Sequence, residues 1–134
     1  MIRLLHLEDD PDILEISQMA LQMTGAFELL QCATGDDAIA RAGAFAPNAL
    51  LLDVMVPGAS GPDVLRALRK LPGLQEVPAI FMTARVQPSE VQDLLDQGAV
   101  AVIAKPFDPM SLGPQILAAI EDARTGQETA PQGV

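Results

Sequence analysis

Five short apolar runs recur along the chain, IRLLHL (2–7), FELLQCA (27–33), NALLLDV (48–54), PAIFMT (78–83) and VAVIA (100–104), and a segment of helical periodicity follows each one. Strands that are apolar along their length, instead of alternating, are covered on both faces, which is the condition of a parallel sheet between two layers of helices. Five such units predict an α/β fold, a doubly wound five-stranded parallel sheet joined by right-handed crossovers. A chain of 134 residues is enough for one such domain and for a core that needs no disulfide or metal to hold it.

Punctuation supports this division. Asp10-Pro11, Thr34 with Asp37, Gly61-Pro62, Pro88 and Asp108-Pro109 read as helix starts, and Gly25, Pro72-Gly73 and Gly98 as stops. In the first helix Ile13, Ile16, Ala20 and Met23 fall at helical spacing and are expected to face inward. Gly113-Pro114 lies inside the last helical pattern, which predicts a kink, or a single turn followed by the helix proper. Residues 124–134 are polar and aperiodic and read as a tail or the start of a linker, leaving 1–123 as the domain.

Charge narrows the function. The net charge of −10 argues against direct binding to nucleic acid, and the densest basic group, Arg66, Arg69 and Lys70, reads as a solvated helix face. The N-terminal apolar run is too short for a signal peptide, and no stretch is long enough to span a membrane, so no membrane partner is expected. A lone cysteine, Cys32, allows no intramolecular disulfide, and the expected location is cytoplasmic. Cys32 reads as an inert buried thiol, His6 as a structural histidine within a strand, and the six methionines as core filler.

Ligands of an open parallel sheet bind beyond the carboxyl ends of its strands. The strand ends here carry Glu8, Asp9 and Asp10, then Asp53, then Thr83, then Lys105. Taken singly, each has a plain reading: Asp53 as a turn residue, EDDP as a helix-capping cluster, Thr83 as a strand-end hydroxyl, Lys105 as a surface lysine. Together they converge on one edge. Crowded carboxylates repel unless cations sit among them. Lys105 supplies one charge, and Mg²⁺ (or Mn²⁺), held by one or two carboxylates, water and phosphate oxygens, would supply two more. Such a site suits phosphoryl transfer, with Asp53 as the nucleophile that forms an aspartyl phosphate and with Lys105 and Thr83 on the phosphoryl oxygens.

The motifs LEDDP, LLLDVMVPGASG, FMTA and AKPF, in this order and spacing, resemble the receiver domain of two-component response regulators, over about residues 2–123. The resemblance implies a flavodoxin-like (βα)5 sandwich with strand order 2-1-3-4-5. It implies that Asp53 is the phosphate acceptor, that Asp9 binds the metal directly and Glu8 chiefly through water, and that the Met55 carbonyl is a further metal ligand. Thr83 and the Ala84 N–H would bind the phosphoryl group, Lys105 would pair with it, and the Lys105–Pro106 bond would be cis. The donor would be a histidine kinase or a histidine phosphotransfer protein, and the output a protein effector on the face formed by 88–120.

Two positions depart from the family's pattern. The aromatic residue usual three positions before the lysine is Val102, which has no ring to bury, so the switch shared with Thr83 is expected to be weak. The positions that tune the lifetime of the phosphoryl group are Met55 and Arg85, and a thioether cannot orient water as a carboxamide can. A receiver-like binding module that works without phosphorylation is the alternative. An aspartyl phosphatase is disfavoured because Met55 stands where the second aspartate of the common class would be, and an acidic pocket would repel a flavin phosphate. The chain is therefore expected to be no enzyme beyond its own phosphorylation and dephosphorylation.

Overall fold

The five apolar runs form one parallel sheet in the computed structural model of the protein, which describes residues 1–125. The elements in chain order are β1 (Ile2–Leu7), α1 (Pro11–Gln22), β2 (Phe27–Cys32), α2 (Gly35–Phe45), β3 (Ala49–Asp53), a hairpin of β4 (Met55–Val56) and β5 (Ala59–Ser60), α3 (Gly61–Leu68), β6 (Ala79–Thr83), α4 (Pro88–Asp96), β7 (Ala101–Ala104) and α5 (Pro109–Arg124). The sheet order is β2-β1-β3-β6-β7, all parallel, which is the expected order once the hairpin is set aside.

Alternate residues of the strands enter two cores. Leu5, Leu7, Leu50, Leu52 and Phe81 pack with the helices α2, α3 and α4. Leu4, Leu51, Ile80, Met82 and Ile103 pack with Leu21 of α1 and with Leu112 and Ile116 of α5. Burial on both faces explains why the strands read as continuous apolar runs. Helix starts fall where the sequence places them. Asp10 accepts a hydrogen bond from the Asp12 N–H at 2.9 Å, Thr34 from the Asp37 N–H at 3.1 Å, and Asp108 from the Met110 N–H at 2.9 Å.

Several expectations change. The inward face of α1 is Ser17, Ala20 and Leu21, while Ile16 and Met23 are exposed. Ser17 takes an inward slot that a count of apolar residues passes over. Of the six methionines only Met82 is in the core; Met1, Met19, Met23, Met55 and Met110 are exposed. Arg69 is half-buried, not solvated, because its guanidinium donates to the carbonyls of Leu74 and Val77 and closes the loop after α3. The single turn followed by a separate helix, one of the two outcomes expected at Gly113-Pro114, does not occur: α5 is one helix over Pro109–Arg124 with Pro114 inside it. Pro114 costs it one intrahelical bond, and the burial of Leu112, Gly113, Ile116 and Ala119 holds the segment to the sheet. Gly113 is there for closeness, since a Cβ on it would lie 2.6 Å from Thr24 Cγ2. Of the expected tail 124–134, Arg124 belongs to α5 and Thr125 is its C-cap, while 126–134 lie outside the described residues.

Candidate functional site

The register of the sheet brings the ends of β1, β3, β6 and β7 to one edge. Glu8 directly follows β1 and is only 1% exposed. Its Oε1 accepts from Lys105 Nζ at 2.9 Å, and its Oε2 accepts from the Asp10 N–H at 3.1 Å. Asp53 ends β3, is buried, and its Oδ2 accepts from the same Lys105 Nζ at 3.1 Å. Asp9 is exposed beside them. One ligand atom from each of Glu8, Asp9 and Asp53 lies within 4.8 Å of the other two. A compact set made only of oxygen donors fits a hard divalent cation such as Mg²⁺ or Mn²⁺.

The charges are interdependent. Burial pushes the Glu8 carboxyl above the usual carboxylate range, against the lowering effect of its hydrogen bonds from Lys105 and the Asp10 N–H. Burial also works to lower the Lys105 ammonium, but its bonds to Glu8 and Asp53 and their negative charges prevail and raise it. Lys105 therefore stays a cation between two carboxylates.

Thr83 ends β6 with its side chain buried at the same edge. Its Oγ1 accepts from the Arg85 N–H at 3.0 Å, which leaves the hydroxyl proton free to donate. Ala84 and Arg85 are exposed beyond it. A cleft of about 510 Å³ opens there between Val54, Thr83 and Arg85 on one side and Ser89, Glu90 and Asp93 of α4 on the other. The Lys105–Pro106 bond is cis, and the Lys105 N–H donates to the Thr83 carbonyl at 2.9 Å, tying the lysine to the threonine. Met55 is exposed, and its N–H reaches toward Asp53 Oδ1 at 3.4 Å. Val102 is partly buried against the core on the α2, α3 and α4 side.

Some contributors were not visible as such in the sequence. Gly61 reads there as a helix start, yet its N–H donates to the Val54 carbonyl at 2.8 Å, and a Cβ on it would meet the Asp53 carbonyl oxygen at 2.6 Å. The only signal was a glycine beside a proline. On the α1 side of β1, Gln31 Nε2 donates to the Leu14 carbonyl at 2.9 Å and lies 3.3 Å from His6 Nδ1. His6 is fully buried, as a structural histidine should be, and its Nε2 and the Ser17 Oγ are buried without a partner among the described residues. Burial first, and the charge of Lys105 second, lower the His6 imidazole to about 4. Cys32 is buried, and its thiol is pushed up to about 11, chiefly by burial.

Comparison with known proteins agrees with this geometry. The family model of the response regulator receiver domain matches residues 4–117. The DNA-binding response regulator MtrA of Mycolicibacterium smegmatis is 34% identical over 110 residues, covering 82% of this chain and 46% of the relative. The phosphate regulon transcriptional regulatory protein PhoB of Pseudomonas aeruginosa is 31% identical over 128 residues, covering 96% of this chain and 56% of the relative. The chain thus spans about half the length of the curated relatives it matches. Among solved structures, the chemotaxis response regulator CheY4 of Vibrio cholerae superposes with a TM-score of 0.82 at 25% identity, over 89% of this chain and 98% of the other. The receiver domain of the sensor histidine kinase PA1611 from Pseudomonas aeruginosa, solved with a magnesium ion coordinated in its active site cleft, gives a TM-score of 0.78 at 25% identity, over 90% and 98%.

Proposed function

The chain belongs to the response regulator receiver family of two-component systems, and from that premise we propose that Asp53 takes a phosphoryl group from a phosphohistidine donor. The observation that carries this reading is the meeting of three carboxylates and one ammonium, with a strand-end hydroxyl at the same edge. In the step, an Asp53 Oδ attacks phosphorus while the donor's P–N bond breaks. The imidazole leaves with the electron pair of that bond and takes up a proton. Lys105 moves from Asp53 Oδ2 to a phosphoryl oxygen, and the Thr83 hydroxyl and the Ala84 N–H donate to the others. Asp9, Asp53 and the Met55 carbonyl would hold Mg²⁺, with Glu8 nearest through water, and the ion would neutralise charge gathering on the phosphoryl oxygens.

A histidine kinase or histidine phosphotransfer protein is the donor in this reading, and a protein effector on the 88–120 face is the receiver of the signal. The chain itself turns over no substrate. No helix among the described residues is long and apolar enough to cross a membrane, and we place the domain in the cytoplasm with its donor. Val102 makes the output shift small, because a valine has no ring to exchange between surface and core. Backbone amide shifts on phosphorylation are expected to stay close to the site. A rearrangement of the whole of 84–102 would count against this.

The test is mass spectrometry after acetyl phosphate and Mg²⁺. The expected result is one phosphoryl adduct on the wild type, absent from Asp53→Asn and from an EDTA control. No adduct on a folded wild-type protein would refute the reading and favour a binding module that works without phosphorylation.

A further inference from the structure

His6 Nε2 and Ser17 Oγ are the buried side-chain polar atoms without a partner among the described residues, and both residues face the layer between β1 and α1. We propose that they share one internal water molecule, which makes this layer a built hydration site that ties the middle of β1 to α1. The site is separate from the proposed phosphoryl chemistry and does not depend on it.

Leu5 and Leu7 point to the α2, α3 and α4 side, so the alternation of the strand turns His6, with Leu4, toward α1 and α5. Its neighbours in the sheet are Gln31 on β2 and Leu51 on β3. Gln31 Nε2 donates to the Leu14 carbonyl at 2.9 Å, which fixes the orientation of the amide, and lies 3.3 Å from His6 Nδ1. An amide nitrogen can only donate, so Nδ1 is the acceptor and the ring carries its single proton on Nε2. That N–H needs an acceptor. Leu4, Leu21, Leu51 and Leu112 in the same core supply none from their side chains. Ser17 stands one helical turn after Leu14 on the inward face of α1, so its hydroxyl belongs to the same layer, but it makes no direct bond to the ring.

A buried donor or acceptor left unpaired loses its hydration with nothing in return. Internal water satisfies such groups where two or more of them converge. One molecule takes up about 30 Å³, and two of the three buried residues of α1, Ser17 and Ala20, are small. In the site the water accepts from the His6 Nε2–H and gives one of its own protons to Ser17 Oγ.

NMR of the full chain at pH 7 tests this. Two-bond ¹H–¹⁵N correlations should place the His6 proton on Nε2, and the ring should show a nuclear Overhauser effect to a water that stays longer than the protein takes to tumble. A proton on Nδ1, or no such water, would overturn the proposal. Ser17→Ala gives a second reading by urea unfolding. Loss of the shared bond should raise the unfolding constant by about fivefold. A fall would overturn the proposal, because it would mean that the hydroxyl is unbonded and that a methyl suits the layer better. In a His6→Leu background the same substitution should no longer raise the constant, and an undiminished rise would show that the two residues share nothing.

Discussion

Gly61 packs so tightly against Asp53 that a Cβ added to it would stand 2.6 Å from the Asp53 carbonyl oxygen, with the Phe81 ring at 3.1 Å. The first residue of α3 therefore sets how the chain leaves the proposed acceptor. Gly61→Ala is expected to cost about 1–3 kcal/mol by overpacking and to slow phosphoryl uptake, since the backbone that must yield is that of Asp53. Gly43, inside α2 with nothing within 4 Å of its would-be Cβ, is the control. Gly43→Ala should add about 0.5–1 kcal/mol and leave uptake unchanged. Thermal unfolding and uptake rates of the two variants check both statements.

Lys105→Met removes the cation shared by two buried carboxylates. At pH 7 without divalent ions it should destabilise the protein by about 2–3 kcal/mol, because the acids are left unpaired. Millimolar Mg²⁺ should then restore more stability to the variant than it adds to the wild type. Equal gains in melting temperature for the two proteins would contradict this.

His6 gives the fold an acid limit. Its imidazole is lowered to about 4 in the native state, by burial and then by the charge of Lys105, from 6.5 when unfolded. Between those values the unfolded chain binds a proton that the native chain does not, so stability falls as pH is lowered, by about 3 kcal/mol across the window. Glu8, raised by burial, contributes with the opposite sign, but does so in wild type and variant alike. Urea unfolding of wild type and His6→Leu at pH 7 and pH 5 should therefore show a smaller loss in the variant.

Gly113 and Thr24 form a contact that leaves no space for one more methyl group, with Thr24 Cγ2 2.6 Å from a would-be Cβ. Gly113→Ala alone should destabilise by about 1–3 kcal/mol. Thr24→Ser deletes the opposing methyl while keeping the hydroxyl that donates to the Leu21 carbonyl and accepts from the Ala26 N–H. The double variant should regain most of the loss, with Ala at 113 then favoured by its helix propensity. Additive losses would show that the clash lies elsewhere.

Phosphoryl lifetime should respond to Met55. Its thioether is a weak acceptor beside the proposed phosphate site, with the side chain in solvent. Met55→Gln should shorten the half-life of the phospho-form by about tenfold by orienting an attacking water, while Met55→Leu should leave it as it is. Following decay of the adduct by mass would distinguish the two.

Strands and helix starts were legible in the sequence because both rest on local chemistry. A run such as ALLLD can only be buried on both faces, and Asp10-Pro11 can only begin a helix cleanly. Glu8, Asp53, Thr83 and Lys105 were legible because strand ends of a parallel sheet must gather at one edge. What escaped depends on partners distant in the chain. The hairpin 55–60 is made of two strands too short to show a period. Ser17 faces inward where a polar residue gives no hydrophobic signal, and Arg69 leaves solvent because two loop carbonyls need donors. Gly61 and Gly113 look like punctuation in a sequence, yet each marks a close approach that only the packed fold reveals.

Glu8 and Lys105 are 97 residues apart in the chain and 2.9 Å apart in space. During synthesis the acids of β1 and β3 leave the ribosome well before the ammonium that neutralises them. A nascent chain that has formed only the first four sheet strands holds Glu8 and Asp53 without their shared cation. The site is completed with the last strand, so a partly made chain has the proposed acceptor but not the lysine that would hold its phosphate.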